Sequence, residues 1–143
     1  MGQLTPKAHS LFDAYLICFM FLAPILFDIE GPARWILWSI CAVHLLVTAV
    51  SDTPLGMIRL VPFRVHGVIE FLVGAAFPFL PLLFGFSHLP NERHLFYGLG
   101  FGILMMWFLT DYKFKSNAWT KESHTDTGLD VTYAEHLGPH RPH

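Results

Sequence analysis

Lys7-Ala8-His9-Ser10-Leu11-Phe12-Asp13 and Arg64-Val65-His66-Gly67-Val68-Ile69-Glu70 read as two versions of one segment, 57 residues apart. Each sets a histidine four residues before an acid, at the mouth of a long apolar run. The same offset aligns Pro24 with Pro81 and Leu26-Phe27 with Leu83-Phe84. A second register, at 59, aligns Arg34 with Arg93, Trp38 with Tyr97, Leu45 with Leu104 and Asp52 with Asp111. Each copy therefore reads as a helical hairpin. A His/acid pair opens it, a proline segment lies near its outer turn, and an aspartate closes it.

The solvent these hairpins are made for follows from composition. Of 143 residues, 53% are hydrophobic and only 14% charged, with fourteen Phe and four Trp. Soluble domains carry about 25% charged residues. Four apolar stretches stand out, near 14–29, 33–50, 65–86 and 95–109. At about 1.5 Å per residue, with their mildly polar ends, they come near the ~30 Å hydrocarbon thickness of a bilayer. The reading is all-α: a four-transmembrane-helix bundle made of two tandem hairpins. The transmembrane domain occupies 1–112, with repeat one at 5–53 and repeat two at 62–112; a polar, histidine-containing tail fills 113–143. Lys7, Arg59, Arg64, Lys113, Lys115 and Lys121 fall on one side, which the positive-inside rule makes cytoplasmic together with both termini. A net charge of -2 without a basic stripe excludes a nucleic-acid partner.

Ala23-Pro24-Ile25 and Leu80-Pro81-Leu82, each followed by Leu-Phe, resemble the motif region of the SPW-repeat family of small bacterial integral membrane proteins. Each copy keeps the proline of that family's Ser-Pro-Trp. Ser51-Asp52-Thr53-Pro54-Leu55-Gly56 and Val65-His66-Gly67-Val68-Ile69-Glu70 resemble the junction between its repeats. The resemblance covers about residues 5–112. It implies two helices per repeat and a multi-pass protein of the bacterial inner membrane, and it implies no reaction.

The topology sets His9, Asp13, Asp52, His66, Glu70 and Asp111 at similar depth near the cytoplasmic face. A residue and its fourth neighbour share one helix face. If both faces point to the bundle axis, two imidazoles and up to four carboxylates converge, a donor set suited to a divalent transition metal such as Zn, Mn or Fe, or to a proton relay. The alternative is structural: each histidine bonds only to the acid one turn on, and the aspartates tie off helix ends. The deciding quantity is whether the two pairs face each other. His44 breaks the repeat, since its mate is Ile103. It is a weaker candidate for haem or a chlorophyll-type pigment, because an intramembrane histidine is a functional candidate by default.

Ser10, Ser39 and Ser51 lie in no nucleophile motif, and no phosphate loop is present, so no enzyme class is indicated. Two functions stay open. One is a non-enzymatic accessory or scaffolding subunit, in contact with the lipid bilayer and with a protein partner or a second copy. In that reading Gly98 and Gly102 form a smooth contact face. The other is a metal- or proton-binding membrane protein.

Overall fold

Thr5 and Pro6 start the first helix as their chemistry dictates. The Thr5 hydroxyl accepts from the Ala8 N–H at 3.3 Å, and Pro6 takes the first helical position, where no donor is needed. The computed structural model describes residues 4–112. In them, α1 spans Pro6–Leu26, α2 Gly31–Val50 and α3 Phe63–Ala76; a 3-10 turn, Phe77–Phe79, leads into the short α4, Leu80–Leu83, and α5 spans Pro90–Leu109. The 3-10 turn falls at Pro78, which cannot donate to an α-helical hydrogen bond. The tail and its histidines (His124, His136, His140, His143) lie outside the described residues.

Among the described residues, three helices are long and apolar enough to cross a membrane: α1, α2 and the 21-residue rod from Phe63 to Leu83. Four had been expected from the apolar stretches. The fourth, α5, has the length but begins Pro90-Asn91-Glu92-Arg93-His94, which shortens its apolar part. The outward surface suits lipid: Tyr15, Leu82, Leu83 and Phe108 are each more than 70% exposed. Exposed large hydrophobic side chains recur along each long helix, a more extended apolar surface than soluble proteins carry. The cysteines are free thiols, Cys18 exposed and Cys41 buried.

Within each half the helices pack as a pair, α1 on α2 and α3 on α5. Met20, Ala23, Ile29, Ala33 and Leu37 are fully buried in the first half, and Phe77 and Phe96 in the second. The expected smooth face at Gly98 and Gly102 is not where α5 meets its neighbour, because a Cβ at either would touch nothing within 4 Å. The close approach is at Gly100, where a Cβ would come within 2.9 Å of the Gly74 carbonyl oxygen on α3.

The turns at the two ends of the helices match in detail. Asp28 and Gly85 both take positive φ (51° and 76°). The next residue's N–H then reaches a proline carbonyl: Ile29 to Pro24 at 2.9 Å and Phe86 to Pro81 at 3.0 Å. At the other end, Leu4 pairs with Thr110, and Val61 with Ser51, as isolated parallel bridges. Leu4 donates to Leu109 and accepts from Asp111; Val61 donates to Val50 and accepts from Asp52. These bridges bring the starts of α1 and α3 level with the ends of α5 and α2, and so fix the depth of the first turns that carry the histidines.

Candidate metal centre

His9 and Asp13 lie one turn apart on α1, and His66 and Glu70 one turn apart on α3. Both pairs point inward and meet. His9, Asp13 and His66 are fully buried and Glu70 is 4% exposed. One donor atom from each of the four lies within 4.8 Å of the other three. His9 Nε2 is 3.4 Å from Asp13 Oδ2 and 3.3 Å from Glu70 Oε2. His66 Nε2 is 3.4 Å from the same Asp13 oxygen and 3.6 Å from Glu70 Oε1. Each histidine thus faces the acid of the other helix as closely as its own.

Two hydroxyls set the imidazole tautomers. Ser51 Oγ donates to the Val47 carbonyl at 2.6 Å, and Thr110 Oγ1 to the Met106 carbonyl at 2.8 Å. Each hydroxyl has one proton, and it is already committed. Each oxygen must therefore accept from the histidine beside it: His66 Nδ1, 2.9 Å from Ser51, and His9 Nδ1, 2.9 Å from Thr110. With the proton on Nδ1, a neutral imidazole presents its bare Nε2 lone pair to the centre. Neither Nε2, nor either oxygen of Asp13, has a partner in hydrogen-bond geometry. Lone pairs facing lone pairs at this burial need either a proton or a cation among them.

Aromatic residues at the start of α3 and just past the end of α5 close the centre. Phe63 and Tyr112 stack near His9, with ring centroids 5.2 and 5.7 Å from it and 4.9 Å from each other. Tyr112 donates its O–H to Glu70 Oε2 at 2.8 Å, and its carbonyl accepts from Arg64 Nε at 3.2 Å. Burial, and next to it the Glu70 charge, raise the Tyr112 pKa above its ordinary value, so the phenol remains a donor. Its ring rests on Gly67, where any Cβ would run into it.

Asp52 and Asp111, expected in the cluster, are not in this four-residue group. Both sit just past a helix end and use their backbone N–H in the bridges to Val61 and Leu4. The residues that do reach the histidines are their predecessors, Ser51 and Thr110, and the later Tyr112. The offset of 59 relates Ser51 to Thr110 as it relates the aspartates, and was the signal that could have found them. His44 reaches the rim of the cluster: its Nε2 lies 3.7 Å from Asp13 Oδ1, also without a hydrogen-bond partner. No family model matches the chain, and neither does any curated protein or solved structure.

Proposed function

We propose that this membrane protein binds one divalent transition metal ion between its two halves, through His9 and His66 Nε2 and the carboxylates of Asp13 and Glu70. The observation that carries the reading is the spacing of the donor atoms. Ligands bound at about 2.0–2.2 Å to a tetrahedral ion sit about 3.4 Å apart. The four N···O separations run from 3.3 to 3.6 Å. A proton shared between imidazolium and carboxylate would draw the atoms to about 2.7–2.9 Å. Charge agrees: two carboxylates and two neutral imidazoles balance a divalent cation, so the loaded centre is neutral in a buried site. Mixed nitrogen and oxygen donors suit Zn, Mn or Fe, and Glu70, with an oxygen toward each histidine, has the reach to bind through both.

Ser51, Thr110 and Tyr112 would orient the ligands from behind, as outer hydrogen-bond partners do in metal sites. In the same reading the two halves are tandem copies, the α1 and α3 starts face the cytoplasm, and α5 completes a four-helix bundle in a bacterial inner membrane. The matched turns at Asp28 and Gly85 and the matched bridges at Leu4 and Val61 support the tandem arrangement. The outward apolar faces are what lipid contact requires, so they give no separate argument for a scaffolding role.

Elemental analysis of protein purified without chelator tests the proposal. About one equivalent of a transition metal is expected, and none in the His9→Ala/His66→Ala double variant. Protein that is folded but metal-free, and that takes up neither Zn nor Mn nor Fe on dialysis, would overturn it.

A further inference from the structure

Three of the four donors at the centre have an outer hydrogen-bond partner: His9 has Thr110, His66 has Ser51 and Glu70 has Tyr112. Asp13 has none in hydrogen-bond geometry among the described residues. Its carboxylate is turned differently from that of Glu70. Glu70 is one methylene longer and sends one oxygen to each histidine, Oε2 to His9 and Oε1 to His66. Asp13 offers Oδ2 to both, 3.4 Å from each Nε2. Its Oδ1 instead has His44 Nε2 of α2 at 3.7 Å. His44 is 9% exposed, and neither its Nε2 nor Asp13 Oδ1 has another partner.

We infer that His44 is the outer partner of Asp13: it carries its proton on Nε2, donates to Oδ1, and so holds the carboxylate to a single metal bond through Oδ2. This rests on the metal centre proposed above. A buried carboxylate oxygen without a donor is costly. His9 and His66 have no proton to give it, since theirs are committed to Thr110 and Ser51. A neutral imidazole has one N–H to place, and on Nδ1 it would leave Nε2 and Oδ1 as lone pairs facing each other. The carboxylate torsion is soft, so a small turn closes the gap to hydrogen-bond range. A second cation would also answer those lone pairs. The two carboxylates already balance one divalent ion, however, and a further charge would be buried without a counter-ion. The break in the repeat fits, because Glu70 is served by Tyr112 and the second half carries Ile103 where the first has His44. His44 thereby bears on which ion is held. A carboxylate kept to one bond favours the low coordination number that suits Zn over the octahedral preference of Mn.

The test is a pair of variants of the full chain in detergent, titrated with Zn and with Mn against a chromophoric chelator. His44→Phe keeps a ring and removes the donor; His44→Gln gives up the ring and restores an N–H at similar reach. Zn affinity should fall about 10–100-fold in His44→Phe, with a narrower preference over Mn, and His44→Gln should recover most of the loss. Cobalt, substituted as an optical probe, should absorb less strongly in His44→Phe, because a second Asp13 oxygen raises its coordination number, and as in the parent in His44→Gln. The reverse order, with Phe tolerated and Gln not, would show that His44 acts by packing. Equal losses in both would show that its imidazole binds the ion directly. Either result, or equal affinity in all three proteins, overturns the inference while the metal centre stands. NMR of labelled imidazole nitrogens in the Zn-loaded parent needs no variant: it should find the His44 proton on Nε2, and a proton on Nδ1 alone would overturn the inference. A parent that takes up neither Zn, Mn nor cobalt overturns the metal centre itself, and the role of His44 with it.

Discussion

Ser51 Oγ lies 2.9 Å from His66 Nδ1 while its own proton goes to the Val47 carbonyl. That one relationship fixes which nitrogen of His66 faces the acids. Ser51→Ala removes the acceptor and frees the ring to change tautomer. Its metal affinity should fall about 10–100-fold, as for other outer-sphere partners. Thr110→Val should do the same at His9. Competition titration with a chromophoric chelator measures both, and an unchanged affinity in both variants would show that the hydroxyls do not orient the ligands.

Metal and stability should be coupled. An ion that binds only the folded chain adds about 4 kcal/mol at a thousandfold excess over its dissociation constant. Chelation should therefore lower the melting temperature of the parent protein in detergent. The same treatment should leave Asp13→Asn/Glu70→Gln unmoved, since that variant lacks the charge to hold a divalent ion. Scanning fluorimetry with and without chelator distinguishes the two.

The His/acid pairs were legible because a spacing of four on a helix states its own geometry, and because the copies fix which helices share a depth. The meeting of the pairs was not legible, since rotation of a helix about its axis depends on packing that no single helix encodes. That Asp52 and Asp111 fall outside the four-residue group has the same origin. A helix-ending acid draws attention by its charge, yet the turn there carries Ser51 and Thr110 inward, and the aspartates take part through their backbone. His44 was set apart from the cluster because it breaks the repeat, its mate being Ile103. Asp13, one turn further in than His9, reaches its level. Gly98 and Gly102 are evident in the sequence as a spaced pair, whereas the close approach at Gly100 is singled out only by Gly74 and Phe77 on the opposing segment.

Tyr112 depends on Gly67 for room. Gly67→Ala should push the ring off its seat and break the hydrogen bond to Glu70, even though alanine is the better helix former. Tyr112→Phe removes the same hydrogen bond and keeps the ring. Both should weaken metal binding, by about tenfold or more. Only Gly67→Ala should also lower the melting temperature of the metal-free protein, because it displaces the ring from His9 and Phe63 whereas Tyr112→Phe keeps that packing. Loss of affinity in neither variant would remove Tyr112 from the site.

Gly85 and Asp28 hold equivalent positive-φ turns with different residues. Gly85→Ala should destabilise by about 1–2 kcal/mol, the cost of a Cβ in the left-handed region. Asp28→Gly should change stability by less than about 1 kcal/mol, since aspartate tolerates that conformation and glycine adds chain entropy. Denaturant titration in mixed micelles measures both.

His9 is made before the other three residues of the centre, and the hydroxyl that sets its tautomer is 101 residues further on. His66 differs: its hydroxyl, Ser51, precedes it by 15 residues. The first-made ligand is thus the last to be oriented. Until Thr110 has been translated and α5 has docked, His9 has no neighbour to keep its lone pair turned inward. In the reading proposed above, a nascent chain could gather ions loosely at either pair, but firm capture would follow insertion of α5. Loading would then mark the end of assembly, and the order of the chain itself would guard against premature closure.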